Sequence, residues 1–178
     1  MFKTRNPLFL VPFKFGFVGA LLNILALIVL FYLGRHPLLL NPILDARLPL
    51  YALLIFMSLK VYKDQYSGGM MHFWQGMTMG MIAYILMASV VSLFIYVFSA
   101  IESTHFLSEY IRIAIGQLEA NKALFIENIG KQTYIDTLTS LPDTKPIHLA
   151  VDYLLKSTPI GLFLTIILSV IMRRKSIT

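Results

Sequence analysis

Residues 73–101 read FWQGMTMGMIAYILMASVVSLFIYVFSAI, a run that contains no formally charged side chain. As a helix the run would be roughly 43 Å long, whereas the hydrocarbon core of a bilayer is about 30 Å thick. We therefore expect a membrane-spanning helix that tilts, projects beyond the bilayer, or both. The composition agrees, because 57% of the chain is hydrophobic and 13% is charged, whereas a soluble domain carries about 25% charged residues.

Three further segments are apolar: Phe15–Gly34, Leu48–Tyr62 and Tyr153–Met172. The first has the length that a spanning helix needs. Although a basic start before an apolar run also fits a signal peptide, no small-x-small cleavage site follows, so we expect this segment to be retained. The second is short, and Pro49 suits its first helical position. The sequence predicts an all-α membrane protein with four transmembrane helices, at about 15–34, 48–62, 73–101 and 153–172.

The distribution of basic residues predicts the orientation of these helices. With the N-terminus inside, the inner segments hold eight basic residues and one acid, and the outer segments hold seven basic residues and eight acids. Lysine and arginine are enriched in the cytoplasmic loops of membrane proteins. The expected topology is therefore N-in/C-in, with residues 102–152 as an extracytoplasmic helical insertion between helices three and four.

The insertion contains an amphipathic pattern. Its apolar residues recur at three-, four- and seven-residue spacing, which is typical of one face of a helix: Leu107, Ile111, Ala114, Leu118, Phe125 and Ile129. An apolar stripe of this length must be shielded from water. It could lie on the membrane surface, fold back as a hairpin, or pair with another chain.

Small residues at four-residue spacing predict close helix packing. Gly76 and Gly80 form such a pair in the third helix, and Ala88 and Ser92 continue the same face. Small residues let helices approach closely in lipid. The first helix offers Gly16 and Ala20 at the same spacing, so we expect helix three to pack against helix one through these residues. Homodimerisation through the same face is the alternative.

The segment between the second and third helices predicts a tight inner turn. Gly68 and Gly69 can supply turn dihedrals, while Lys63 and Asp64 close the preceding helix. A site for an anion or a lipid headgroup is the alternative, because Lys60 and Lys63 would face an acidic leaflet.

Five methionines follow this turn: Met70, Met71, Met77, Met79 and Met81. Thioethers bind soft cations such as Cu(I). On a helix, however, Met77 and Met81 share a face and Met79 points away from it, so three sulfurs do not converge from one helix. We interpret these methionines as flexible apolar packing.

Histidines and carboxylates give the one candidate metal site. His36, His105 and His148 lie near the predicted outer ends of helices, and His105 with Glu109 and His148 with Asp152 have helical spacing. Helical bundles build metal sites from such pairs. Interfacial histidines more often bond to water and main chain, so we expect no metal and no other cofactor, and keep His105, Glu109, His148 and Asp152 as the candidate set. The chain has no cysteine, which excludes disulfides and thiolate chemistry.

The stretch KVYKDQYSGGMMHFWQGMTMG resembles the signature of a bacterial integral membrane family catalogued as domain of unknown function forty-one ninety-nine. The matching positions are Tyr62, Lys63, Asp64, Gly68, Gly69, Phe73, Gln75, Gly76 and Gly80. The resemblance covers nearly the whole chain. It implies a small four-helix protein of the bacterial inner membrane, with residues of about 102–152 in the periplasm, and it supplies no catalytic residues.

No aspartate, glutamate, arginine or histidine lies clearly inside a predicted span, whereas proton-coupled carriers and intramembrane hydrolases normally carry ionisable groups at depth. Nothing resembles a phosphate-binding loop or a nucleic-acid face. We therefore expect a non-enzymatic accessory or scaffold subunit that sits in the lipid bilayer and binds another envelope protein or itself. An oligomeric transporter or channel for small solutes or lipid is the alternative, with a path lined by Asn23, Ser89, Ser92 and Ser99. A metal-dependent enzyme at the outer face is the second alternative.

Overall fold

The computed structural model describes residues 6–40 and 47–173. The helices of this part of the chain are joined by short turns, and it contains no β-strand. The helices are α1 (Pro7–Tyr32), α2 (Arg47–Gln65), α3 (Phe73–Ala100), α4 (Phe106–Ala120), α5 (Lys122–Ile129), α6 (Lys131–Ser140) and α7 (Pro146–Met172). Short 3-10 turns at Glu102–Thr104 and Leu141–Asp143 flank α4–α6 within the insertion. The predicted all-α class is confirmed.

Three of the helices, α1, α3 and α7, are long and apolar enough to cross a membrane. The predicted second span falls within α2, which has nineteen residues. Its sequence includes Arg47, Lys60, Lys63 and Asp64, and these charges shorten its apolar part. Helix α2 is therefore not among the helices that qualify by length and composition.

The four helices α1, α2, α3 and α7 form a bundle in which α3 contacts all of the others. Two apolar clusters fill it. One contains Leu59, Met79 and Met87 and lies at the end where α2 turns into α3. The other contains Leu27, Val91 and Phe106 and lies at the end where α4 begins. Helix α3 contributes to both clusters and is therefore the central helix of the bundle.

The Gly76–Gly80 face of α3 packs against α7. A Cβ atom on Gly76 would lie 2.9 Å from Ser169 Oγ, and a Cβ atom on Gly80 would lie 2.6 Å from Thr165 Cγ2. The expected pairing of this face with the first helix is therefore wrong. Since α7 covers the face within the same chain, the homodimer alternative loses its surface.

The Gly76–Gly80 face packs against α7 because α7 carries a second row of small residues at four-residue spacing: Gly161, Thr165 and Ser169. Farther along the contact between α3 and α7, Ala88 is buried. Ser92 Oγ donates a hydrogen bond to the main-chain carbonyl of Ala150 at 2.8 Å. Small residues on both helices let α3 and α7 approach closely.

Gly16 and Ala20 hold α1 against a different face of α3. A Cβ atom on Gly16 would lie 2.9 Å from the main-chain oxygen of Ala83. Ala20 is fully buried in the same cluster as Val91 and Ile95. The contact between α1 and α3 therefore exists, but it does not use Gly76 and Gly80.

The turn between α2 and α3 is closed by glycine and lysine. Gly68 and Gly69 have φ values of 59° and 80°, which favour glycine because a Cβ atom is strained there. The Gly69 amide donates to the Lys63 carbonyl at 2.9 Å. Lys63 Nζ donates to the Met172 carbonyl at 3.0 Å, so its charge sits at the C-terminal end of α7, where the helix dipole favours a cation. Asp64 is exposed.

The methionines of this region divide between core and surface. Met71 and Met79 are fully buried, whereas Met70 is exposed. Met77 and Met81 are half-buried. The buried sulfurs belong to the apolar cluster that contains Leu59 and Met87.

Candidate functional site

The candidate metal residues are divided among separate local contacts. Glu109 accepts from Arg112 Nη2 at 2.5 Å, and Asp152 pairs with Lys156 at 2.6 Å. His148 Nδ1 accepts from the main-chain amide of Lys145 at 3.2 Å. Within residues 6–40 and 47–173, no three histidine, aspartate or glutamate side chains come together as a metal site would require. The structure therefore does not assemble His105, Glu109, His148 and Asp152.

The polar side chains proposed for a solute path are used by the fold itself. Asn23 Nδ2 donates to the Gly19 carbonyl at 2.8 Å, and Ser99 Oγ donates to the Ile95 carbonyl at 2.6 Å. Ser92 bonds across to α7, and Ser89 is exposed on the bundle surface. Within this chain these four residues do not line a common surface.

An aromatic anchor connects the insertion to the bundle. We define it as Phe31, His36, Phe98, Phe106 and Tyr110. Phe106, the first residue of α4, is fully buried, and its ring lies 5.1 Å from Phe31 and 5.2 Å from Phe98. The anchor therefore joins the ends of α1 and α3 to the start of α4.

His36 is the polar member of the anchor. It is 5% exposed, and its ring centroid lies 4.5 Å from that of Phe106 and 5.4 Å from that of Tyr110. His36 Nε2 lies 3.2 Å from the Phe106 main-chain carbonyl. Because a carbonyl only accepts, Nε2 carries the proton and donates it.

Burial lowers the pKa of His36 to about 4 from its ordinary value of 6.5. The hydrogen bond to the Phe106 carbonyl and the negative charge of Glu109 act in the opposite direction, and the positive charge of Arg47 adds to the decrease. Desolvation dominates because the charged imidazolium loses its water in this apolar cluster. His36 is therefore neutral in the folded protein at neutral pH.

We expect acid to loosen the anchor. When residues 33–40 are detached from α4, His36 takes up a proton below about pH 6.5. When they are packed against Phe106, His36 stays neutral until about pH 4. The free energy that favours the packed anchor over the detached one is therefore highest above about pH 6.5. It decreases by at most about 3 kcal/mol as the pH falls towards 4. The rate of amide hydrogen exchange in residues 106–110, corrected for the intrinsic pH dependence of exchange, measures this decrease.

His36→Gln should remove most of this pH dependence, because glutamine does not titrate. The matched control is His105→Asn. His105 is exposed with a φ of 53°, a backbone conformation that asparagine tolerates, so this variant should keep the wild-type profile. A wild-type exchange profile that is flat from pH 7 to pH 4 would contradict the buried, neutral state of His36.

A second polar feature is a cavity of about 110 Å³ between α2, α3 and α7, which we call the tyrosine cavity. Its apolar wall consists of Leu38, Leu40, Leu48 and Ile160. Its polar wall consists of Arg47, Tyr51, Tyr84, Asp152, Tyr153, Lys156 and Ser157. The cavity therefore combines an apolar side with several hydrogen-bond donors.

Arg47 and two tyrosines hold one wall of the cavity in place. The Arg47 guanidinium is buried; its Nη2 donates to the Pro37 carbonyl at 2.7 Å, and its central carbon lies 5.9 Å from the centre of the Tyr153 ring. Attraction between a cation and a ring face stabilises such a pair. The Tyr51 and Tyr153 hydroxyls hydrogen-bond each other.

Tyr84 closes the opposite side of the cavity. Its ring lies directly over Gly161 and 5.6 Å from the ring of Tyr51. It is 2% exposed, and its hydroxyl lies beside the hydroxyl of Ser157. Ser157, the neighbouring hydroxyl of the cavity wall, donates to the Leu154 carbonyl at 3.3 Å.

The sequence-based reasoning did not identify this cavity. In the sequence Arg47 contributes only to the charge of the outer segments, and Tyr84 continues the Gly76–Gly80 face of the third helix. Each of three predicted spans carries one of the tyrosines Tyr51, Tyr84 and Tyr153, and this is the only available signal. The signal is weak, because nothing in the spacing shows that three tyrosines far apart in the chain meet.

The family model described as "Protein of unknown function (DUF4199)" matches residues 14–174, which takes in six of the seven helices in full and most of α1. The chain belongs to this family. The resemblance inferred from the glycine-rich turn is therefore confirmed. The description of the DUF4199 family assigns no activity, and no curated protein and no solved structure matches the chain.

Proposed function

We propose that this DUF4199 member is a four-span protein of the bacterial inner membrane, with both termini in the cytoplasm. In this proposal it is a non-enzymatic accessory or scaffold subunit that binds an envelope protein through the α5–α6 part of its periplasmic insertion. Two sets of contacts support the proposal: those of α2 within the bundle, and the exposed apolar side chains of α5 and α6.

The position of α2 supports a fourth span. Its Leu54, Ile55 and Leu59 are buried in the bundle, while Leu53 and Met57 point outwards and are exposed. A helix of nineteen residues is about 28 Å long, close to the thickness of a hydrocarbon core. Exposed leucine and methionine on a helix that packs beside three apolar helices are best covered by lipid.

Single-cysteine labelling tests the topology, because the natural chain has no cysteine. Cysteine at Ser67, in the turn after α2, should react with a membrane-impermeant maleimide only after the membrane is opened. Cysteine at Asn128, in α5, should react in intact cells. The reverse pattern would follow from an inverted topology or from an α2 that does not span, and either would contradict the proposal. Labelling of both sites in intact cells would contradict a spanning α3.

The observation that carries the scaffold proposal is that only some of the apolar side chains of the insertion are buried within the chain. Ala114 and Leu118 of the predicted stripe are buried within the chain itself, so part of the insertion folds back on the protein. In contrast Leu124, Ile129 and Ile135 on α5 and α6 are 59%, 42% and 40% exposed. Apolar side chains grouped outside the spanning helices favour an interaction surface.

Site-specific photocrosslinking in intact membranes tests the surface. A photoreactive residue at Leu124 should give one discrete adduct, whereas the same residue at Glu119, an exposed charged position of α4, should not. The mass of the adduct separates a second copy of the 20.2 kDa chain from a different protein. Adducts with lipid alone at Leu124 would contradict a protein partner.

A further inference from the structure

Residues 36–40, which we call the strap, contact two separate parts of the molecule. At one end, the His36 ring centroid lies 4.5 Å from that of Phe106, and His36 Nε2 donates to the Phe106 carbonyl at 3.2 Å. At the other end, Leu38 and Leu40 line the tyrosine cavity. The strap therefore connects the first residue of α4 to the wall of a cavity between α2, α3 and α7.

Contacts along the strap join its two ends. The Leu39 amide donates to the His36 carbonyl at 3.1 Å, which closes a turn. Pro37 is buried, and its carbonyl accepts from Arg47 Nη2 at 2.7 Å. Leu38 also packs against the apolar cluster at the end of the bundle where α4 begins. Because one hydrogen-bonded turn joins these residues, a displacement at His36 also displaces the side chains that line the cavity.

The residues between α1 and the strap have the properties of a hinge. Residues 33–35 are exposed, in contrast to the buried His36 that follows them. Gly34 has a φ of 76°, and an added Cβ atom there would meet no atom within 4 Å. A few residues at the end of a helix are sufficient to absorb the dihedral changes of a moving segment. The position of the strap therefore depends on its own contacts and not on packing around Gly34.

We propose that the strap is a lid on the tyrosine cavity and that Phe106 is the latch that holds this lid closed. While the Phe106 ring stays packed against His36, Leu38 and Leu40 remain in the cavity wall. When α4 moves away from the bundle, the strap rotates about Gly34 and the cavity opens.

The lid couples the insertion to the interior of the bundle. A coupling free energy acts equally in both directions, so an event that moves α4 opens the cavity, and occupation of the open cavity weakens the packing of α4. The lid works without a protein partner on α5 and α6, so it stands or falls separately from the interaction surface proposed there.

Cysteine reactivity tests the lid, because the natural chain has no cysteine. Ser157→Cys places a thiol in the cavity wall with little change in volume. Lys156→Cys places one on the next residue, whose side chain is 72% exposed. The full chain in a neutral detergent is treated with a hydrophilic maleimide. The thiol at position 157 should react slowly, because the strap must open first, whereas the thiol at position 156 should react fast.

Two variants release the lid in different ways. Phe106→Ala removes the latch and should raise the reaction rate at position 157 about tenfold or more, because the rate follows the population of the open state. Leu38→Ala removes part of the lid and leaves the contact of Phe106 with His36 in place. It should also raise the rate at position 157, while amide exchange in α4 stays at the wild-type level.

The matched control is Phe163→Ala, which removes a ring that is 63% exposed on α7 and should leave the rate at position 157 unchanged. The rate at position 156 should stay constant in every variant, and the Tm reports whether each variant is folded.

Three results would overturn the proposal. Equal reaction rates at positions 157 and 156 in the otherwise natural chain would show that the strap does not cover the cavity. An unchanged rate at position 157 in folded Phe106→Ala or Leu38→Ala would show that the strap is not a lid held by Phe106. A parallel increase at positions 157 and 156 would show that the whole bundle loosens.

Discussion

Gly161→Ala will destabilise the bundle by about 1–3 kcal/mol, the typical cost of inserting a methyl group into a packed core. A Cβ atom at this position would lie 2.2–2.3 Å from three ring atoms of Tyr84. The ring is buried and packs beside Tyr51, so it cannot move without disturbing these contacts. Either the ring leaves its rotamer or α7 moves away from α3. Thermal unfolding in detergent measures the loss.

Two variants control this prediction. Gly116→Ala changes a helical glycine whose added Cβ meets no atom within 4 Å, so it should raise stability by about 0.5–1 kcal/mol through helix propensity. Adding Tyr84→Ala to Gly161→Ala removes the obstructing ring, and the double variant should be more stable than the two single effects added together. Additive losses would show that the ring of Tyr84 does not lie over Gly161.

Phe106→Ala will detach the insertion from the bundle at a cost of about 3–5 kcal/mol, as for other buried phenylalanines. The ring is fully buried between Phe31, Phe98 and His36. Its loss leaves a cavity and, among the aromatic contacts of α4 that the structure describes, keeps only the outer contact of Tyr110 with His36. Amide exchange should rise in residues 33–40 and in the first turns of α4. It should change little at the centre of α3.

The matched control is Phe163→Ala on α7, because that ring is 63% exposed and its removal leaves no internal cavity. It should keep the wild-type exchange pattern in residues 33–40 and in α4. If Phe106→Ala accelerates exchange uniformly along α3 and α7, the insertion is not a separate unit and the anchor belongs to the global core.

The sequence alone was sufficient for the class of the protein. Long uncharged runs predict spanning helices because the bilayer core cannot hydrate charge or unpaired main chain, and α1, α3 and α7 are long and apolar enough to cross a membrane. The glycines and lysine of the turn after α2 were also recognisable, since positive φ values favour glycine. The family followed from the same turn.

Residue spacing could not identify which helices pack together. The pair Gly76 and Gly80 marked a close-packing face, but rows of small residues occur on both α1 and α7, and the spacing is the same for both. The bundle pairs Gly80 with Thr165 and Gly16 with Ala83. Periodicity shows which residues share a face of one helix; the partner of that face depends on how all four helices fill space together.

Burial likewise depended on the tertiary structure. From the sequence, His36 and Arg47 are indistinguishable from ordinary loop residues near a membrane surface. In the structure the His36 ring packs against Phe106, and the Arg47 guanidinium lies over the ring of Tyr153. The low pKa of His36 and the donor-rich wall of the tyrosine cavity arise only when segments distant in the chain exclude water from the same place. Apolar periodicity along one segment carries no information about that exclusion, because desolvation is a property of the assembled neighbours.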